Sequence, residues 1–213
     1  MADSVHSQLA ELSSSTVSPA YITDRAEFEE YVRRDDRTLL VYVDVDGVEQ
    51  ELVEVTDPAD LDRTDREVLA FSLLGRYDRD DFDAIISVPV RRVLAETPLR
   101  DDDFPVSFVK VIAVRPDQQG RGIGSRVSTE VASRVIAEPP AATMVWLRDN
   151  PANRKLAAAY SEFVMARFED YFPPDWACPE CGHDADCDCT VEMYGWFTDG
   201  RDERTGQAVP ADD

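Results

Sequence analysis

Residues 107–126 read SFVKVIAVRPDQQGRGIGSR, and the succession of residue types along them decides the fold. Ser107 to Val114 is an apolar run of strand length, with its exit at Arg115-Pro116. Further on, Ile123, Val127, Val131 and Val135 recur at every fourth position, the stripe of a helix buried on one face. Gly120, Gly122 and Gly124 stand between strand and helix. The strand therefore delivers the chain to a helix N-terminus stripped of side chains. N–H groups of a first helical turn have no acceptor inside the helix and carry partial positive charge, and glycine lets a phosphate approach without meeting a Cβ. Gln119 to Ser125 is accordingly expected to cradle a phosphate.

Glycine-rich strand-to-helix turns have several uses, an ordinary tight turn among them. A nucleotide-hydrolysing P-loop needs a lysine and a hydroxyl residue after its last glycine, whereas Gly124 is followed by Ser125 and Arg126. A dinucleotide-binding turn needs GxGxxG near the start of a βαβ unit and an acidic residue at the next strand end, and this stretch does not fit it. The pattern Q/R-x-x-G-x-G/A does fit, with Gln119, Gly122 and Gly124 at its three defining positions. In this the chain resembles the GNAT superfamily of acyl-CoA N-acyltransferases. Asn153 and Tyr160 match a second signature of that family, an asparagine seven residues before a tyrosine. The resemblance covers Phe104 to Phe172. It departs from the family at Val164-Met165, where a Gly-Phe pair usually ends the helix.

The resemblance implies an α/β (α+β) fold with a mixed, centrally splayed β-sheet flanked by helices. It implies an N-acetyltransferase that moves an acetyl (acyl) group from acetyl-CoA to an amine by direct attack through a tetrahedral intermediate. Backbone groups of Ile112, Ala113 and Val114 would align the pantetheine arm. Gln119, Gly120, Arg121, Gly122, Ile123, Gly124 and Ser125 would hold the pyrophosphate, Asn153 would contact the donor near its thioester, and Tyr160 would protonate the leaving thiolate. A phenol near pKa 10 and a thiol near 8.5 make that transfer uphill by about 2 kcal/mol, which collapse of the intermediate can supply. An alkylamine with pKa near 10.4 must also lose a proton. Glu192 and the run Asp101 to Asp103 are the carboxylates considered for this, each more readily read as a solvated surface charge. The competing class is a binding protein, either a non-catalytic CoA sensor or a zinc-knuckle interaction module on a degenerate acyltransferase fold.

At 213 residues the chain suits one α/β domain with additions. Acidic residues number 44 against 22 basic ones, the net charge is −22, and Lys110 and Lys155 are the only lysines. The acidity is spread along the whole chain. Such a surface repels itself and nucleic acid in dilute buffer, but at molar salt the Debye length falls to about 3 Å and the repulsion is screened. The composition resembles proteins of salt-accumulating archaea, and no nucleic-acid partner is expected. The expected partner is a small-molecule or peptide amine. No apolar run approaches the ~20 residues that span a bilayer, and no basic segment followed by an apolar one opens the chain, so no membrane partner and a cytoplasmic location are expected.

Met1 to Pro19 is Ser-rich, and residues 1–19 are expected to form a mobile arm with a short helix around Leu9 to Leu12. A single acyltransferase domain is expected over 20–198, followed by a polar tail over 199–213. Within the domain Asp24 is a helix N-cap for a helix through Arg33, and two strand segments, Leu39 to Val45 and Glu49 to Val55, flank Asp46-Gly47 as a hairpin. Asp65 to Leu74 carries helix-like spacing in Val68, Leu69, Phe71 and Leu74, and Ile85 to Val90 reads as a strand or as a helix broken at Pro89. After the cradle helix, Thr143 to Arg148 predicts a strand, a helix is expected from Asn150-Pro151 to about Tyr171, and Cys189 to Phe197 predicts a late strand.

All four cysteines, Cys178, Cys181, Cys187 and Cys189, fall in CPECGHDADCDC, a CxxC and a CxC five residues apart. Four thiolates bind Zn²⁺ tetrahedrally, and CPxCG resembles the knuckle of zinc ribbons. A structural zinc in a Cys-rich knuckle at 177–189, before the last strand, is expected. His183 as a substitute ligand and a site shared between chains of a homodimer are variants of that reading. A disulfide pair or free thiols are the alternatives.

Overall fold

The computed structural model describes residues 3–18, 21–45, 47, 49–147, 153, 155, 164–169, 171 and 189–198. In chain order they form α1 (Val5–Thr16), α2 (Arg25–Arg33), β1 (Arg37–Val45), β2 (Glu49–Val55), β3 (Arg66–Tyr77), α3 (Arg79–Ile85), α4 (Val90–Glu96), β4 (Val106–Val114), α5 (Ile123–Ile136), β5 (Ala141–Leu147), β6 (Val164–Phe168) and β7 (Thr190–Trp196). The strands make one mixed sheet in the order β2-β1-β3-β4-β5-β7-β6. β4 and β5 run parallel and pair over three residues, from Ser107 with Ala141 to Val109 with Thr143, although the strands have nine and seven residues. Pairing that stops so early splays the sheet at its centre. By contact the residues fall into two compact units, one of residues 3–75 with 110–131, the other of 76–109 with the described residues from 132 onward.

In the first unit the hairpin stands where the Asp-Gly turn predicts it. β1 and β2 pair antiparallel from Leu39 with Val55 to Val45 with Glu49, and Gly47 takes φ +69° in the turn. α2 starts at Asp24 in a capping box: the Asp24 carboxylate accepts the Ala26 N–H at 3.0 Å, and the Glu27 carboxylate accepts the Asp24 N–H. A cap of this kind stabilises a helix by about 1 kcal/mol. The core gathers Leu9, Phe28, Leu39, Phe71 and Leu73, each fully buried.

Two expectations are corrected in this unit. The residues read as a mobile arm include α1, whose Val5, Leu9 and Leu12 are 3%, 0% and 4% exposed. The Gln8 amide fixes this helix by donating to the Arg66 carbonyl at 2.9 Å and accepting the Val68 N–H at 2.8 Å. Serine content had concealed a short apolar stripe at i, i+4, i+7. Second, Arg66–Tyr77 is a strand, where 65–74 was expected to be helical. Every residue from Val68 to Leu74 is buried. A strand buried on both faces has no alternation, and its continuous apolar run contains i, i+3 spacings by chance.

In the second unit α3 and α4 flank Pro89, the helix-break reading of Ile85 to Val90. β5 pairs antiparallel with β7 from Ala141–Trp196 to Leu147–Thr190, and β6 pairs antiparallel with β7 on its other edge. The helix expected to continue to Tyr171 is corrected here, because Val164–Phe168 is β6. Its buried Met165 and Phe168 stand three apart, as on a helix, because the register shifts between Val164 and Ala166. Gly195 makes room for this strand: a Cβ there would stand 2.3 Å from Met165 Sδ. α5 buries the predicted stripe, Ile123, Val127, Val131 and Val135, at 3%, 0%, 2% and 4% exposure. At roughly 1.5–3 kcal/mol per buried aliphatic side chain, the stripe holds the helix more firmly than its propensity does.

Candidate functional site

β4 ends at Val114, and the chain leaves it through a 3-10 turn, Pro116–Gln118. Arg115 anchors that turn. Its N–H donates to the Leu69 carbonyl of β3 at 2.9 Å, and its guanidinium donates to Asp117 at 2.6 and 2.8 Å and to Glu67. The same guanidinium holds the Asp117 carboxyl below its usual range. The Gln119 amide reaches back to the Val114 carbonyl at 3.2 Å. Gly120 and Gly122 take φ +76° and +82°, a region that costs other residues about 1–2 kcal/mol. α5 then opens at Ile123, and the Arg126 N–H donates to the Gly122 carbonyl at 3.1 Å.

Gly124 is the informative glycine. It does not share the positive φ of Gly120 and Gly122, and a Cβ there would meet only Val114 Cγ2, at an ordinary 3.5 Å. Neither backbone nor packing among the described residues requires glycine at this position. The first N–H groups of α5 lack acceptors within the helix. The residues therefore fit a phosphate group. Positive charge stands beside them: exposed Arg121 donates to the Gln118 side chain, and Arg126 Nη1 donates to the Tyr42 hydroxyl at 2.8 Å.

The remaining candidates separate. Asn153 donates its side-chain amide to the Trp146 carbonyl of β5 at 2.9 Å. Tyr160, Cys178, Cys181, His183 and Cys187 lie outside the described residues. Cys189 is 7% exposed, immediately before β7. Among the described residues no group of three or more His, Cys, Asp or Glu is placed to hold a metal ion.

Of the carboxylates considered for the base, Glu192, Asp101 and Asp103 have partners, and Asp102 is exposed. Glu192, 5% exposed, accepts Arg167 Nε at 2.9 Å and Arg167 Nη2 on one oxygen and the Tyr194 hydroxyl at 2.5 Å on the other. Arg167 and Glu192 are register partners across β6 and β7. Burial, then the bond to Glu192, pushes the Tyr194 phenol above its usual value. Asp101 accepts Arg79 Nε at 2.7 Å, and Asp103 caps its own turn by accepting the Arg100 N–H at 2.7 Å.

The sequence reading missed Lys110. It lies half-buried on β4, with Nζ 5.7 Å from the ring centroids of both Tyr21 and Tyr31. The Tyr21 hydroxyl donates to the Lys110 carbonyl at 3.3 Å. Burial pushes its ammonium below the usual lysine value, against the pull of Glu27 and Glu30, with Arg37 adding to the downward shift. The available signal was a lysine inside an apolar strand in a chain that, Lys155 aside, otherwise uses arginine.

No family model and no curated protein matches the chain. Solved structures do. Arabidopsis thaliana NAA60 in complex with acetyl-CoA superposes with a TM-score of 0.57 at 12% identity, over 92% of this chain and 94% of that one. The same protein with a bisubstrate analogue gives 0.52 at 14%, over 89% and 91%. GphF, a GNAT-like decarboxylase in complex with isobutyryl-CoA, gives 0.52 at 12%, over 89% and 94%. Identity this low speaks to architecture alone. The mixed seven-stranded sheet, splayed at β4 and β5 and flanked by helices, is the GNAT fold.

Proposed function

We propose that the chain is an N-acetyltransferase that moves an acetyl group from acetyl-CoA to an amine. The observation that carries this reading is Gly124, a helical glycine at the first turn of α5 that the fold itself does not need, in front of N–H groups suited to a pyrophosphate. The acetyl-CoA and bisubstrate complexes of NAA60, which share the fold, support it. Gln119 to Ser125 hold the pyrophosphate, with Arg121 adding charge; backbone groups of Ile112, Ala113 and Val114 align the pantetheine arm; Asn153 lies near the thioester. The amine attacks the thioester carbonyl, a C–N bond forms, and the C–S bond breaks as Tyr160 hands the thiolate a proton. Oriented donors and proximity do most of the work in such a transfer, and proton delivery adds typically 10²–10⁴-fold.

The test is release of free CoA from acetyl-CoA with a panel of α-amine peptides, lysine peptides and polyamines at high salt. Turnover lost in Tyr160→Phe supports the enzyme. Acetyl-CoA binding without turnover on any acceptor supports the sensor reading instead, and no binding sinks both. GphF is named a decarboxylase, so an acyl-CoA site on this fold serves more than one chemistry, and the acceptor dependence of thiol release decides for this chain.

We also propose that Cys178, Cys181, Cys187 and Cys189 hold a structural Zn²⁺, on the spacing of their thiols. Metal analysis of protein purified without chelator should return about one zinc per chain, as a four-thiolate site requires. No zinc would end this reading and leave the acyl-transfer reading untouched.

A further inference from the structure

We propose that Lys110 accepts the proton of the incoming amine. The proposal rests on the acetyl-transfer reading above and supplies the base which that reading lacks, since Glu192, Asp101 and Asp103 are engaged elsewhere and Asp102 is a solvent-exposed charge.

Position is the first support. A pantetheine arm has about a dozen bonds between phosphate and sulfur, equal to roughly four residues of extended chain, or about 13 Å. With the pyrophosphate at the start of α5 and the arm laid along the end of β4, the thioester comes level with a residue four positions before Val114. That residue is Lys110.

The second support is residue choice. Twenty of the 22 basic residues are arginine, including Arg37 at 6% exposure, so burial alone does not exclude arginine from this chain. Arginine cannot release its proton, whereas lysine can. Lysine stands at the one basic position within β4.

The surroundings are the third support. Tyr21 and Tyr31 each present a ring 5.7 Å from Nζ, and among the described residues no carboxylate is in ion-pair reach of it. The charged groups that face it are Glu27 and Glu30 from α2, which favour the ammonium, and Arg37 from β1, which opposes it; burial outweighs them and favours the neutral amine. A base must be neutral before the step and cationic after it. The two rings attract the cation that forms.

The step balances as follows. The acceptor ammonium gives one proton to Lys110 Nζ, which passes it to water. The free amine forms the C–N bond, the C–S bond breaks, and the second ammonium proton, released as the tetrahedral intermediate collapses, replaces the proton that Tyr160 gives to the thiolate.

Only two lysines make a direct test practical. In full-length protein carrying ¹³Cε-lysine, with Lys155→Arg to assign the signals, Lys110 should titrate below Lys155. In the acceptor panel, kcat/KM should rise with pH through the value read for Lys110. Lys110→Arg, which keeps a cation between the rings, should lower kcat on the order of 10²-fold and abolish that inflection, with acetyl-CoA affinity by calorimetry unchanged. If Lys110→Arg does not fold, Lys110→Met is read in its place. Titration of Lys110 together with Lys155, or an unchanged pH profile in either variant of an active enzyme, overturns the proposal and leaves acetyl transfer standing. Failure to bind acetyl-CoA or to turn over any acceptor overturns the parent reading and this one with it.

Discussion

Arg126, in the first turn of α5, donates Nη1 to the hydroxyl of Tyr42 on β1 at 2.8 Å, and so ties the cradle helix to the hairpin sheet. The contact joins residues 84 apart in the chain. Hydrogen bonds to charged groups contribute about 1.5–3 kcal/mol, and partial exposure puts this one at the low end. Tyr42→Phe should therefore lower unfolding free energy by about 1.5 kcal/mol in urea at fixed KCl. An unchanged midpoint would show that Arg126 finds water an equal partner.

Gly124 and Gly122 should respond in opposite ways. Gly124→Ala meets no close atom and gains helix propensity, so stability should rise by up to about 1 kcal/mol while acetyl-CoA binding by calorimetry weakens at least tenfold. Gly122→Ala, at φ +82°, should instead destabilise by about 1–2 kcal/mol. Undiminished acetyl-CoA affinity in Gly124→Ala would remove the observation on which the functional proposal stands.

Tyr194 gives the fold an alkaline limit. Its folded value lies above the ordinary tyrosine value near 10, from burial first and from its bond to Glu192 second. Below about pH 10 the phenol keeps its proton in both states and the advantage of the folded state is whole. Above that the unfolded chain releases the proton first, so stability falls as pH rises. Denaturation at a series of pH values above 9 should show this fall, and Tyr194→Phe should flatten it.

Gly195 and Met165 should couple. A Cβ at 195 lies 2.3 Å from Met165 Sδ and 2.6 Å from Cε, so Gly195→Ala should destabilise by about 1–3 kcal/mol through overpacking. Met165→Ala should recover part of that loss in the double variant, because the clash involves the tip of a flexible side chain. Additive losses would mean that the backbone at Gly195 carries the effect.

Salt should stabilise the chain. Screening weakens exposed Arg–carboxylate pairs such as Arg63–Asp65, but solvent-exposed pairs contribute little to begin with. Self-repulsion at net charge −22 is the larger quantity and is relieved by the same screening. The unfolding midpoint by circular dichroism should rise between about 0.1 M and 2 M KCl, a range that shortens the Debye length severalfold. A constant midpoint would end the salt-adaptation reading.

The strand, glycine turn and helix were legible because their signals are local. Glycines at 120 and 122 answer to their own φ, the valine stripe to one helix, and Asp46-Gly47 to one hairpin. β3 and β6 were not legible, because what makes each a strand is its neighbours. β3 is buried on both sides, so its pattern carries no period, and β6 is five residues displaced by a register shift against β7. The short helix expected around Leu9 to Leu12 is there as part of α1, but its packing was not legible, because it rests on Gln8 bonds to residues nearly sixty positions away.

By itself the sequence determined the strand, glycine turn and helix from Val106 to Ile136, since backbone conformation and burial period are written in successive residues. Tertiary structure decided what the polar groups do. It gave Glu192 to Arg167 and Tyr194, which occupy both of its carboxylate oxygens, and it set Lys110 within 5.7 Å of the rings of Tyr21 and Tyr31. A side chain's charge depends on which groups surround it, and those groups come from strands and helices far apart in the chain.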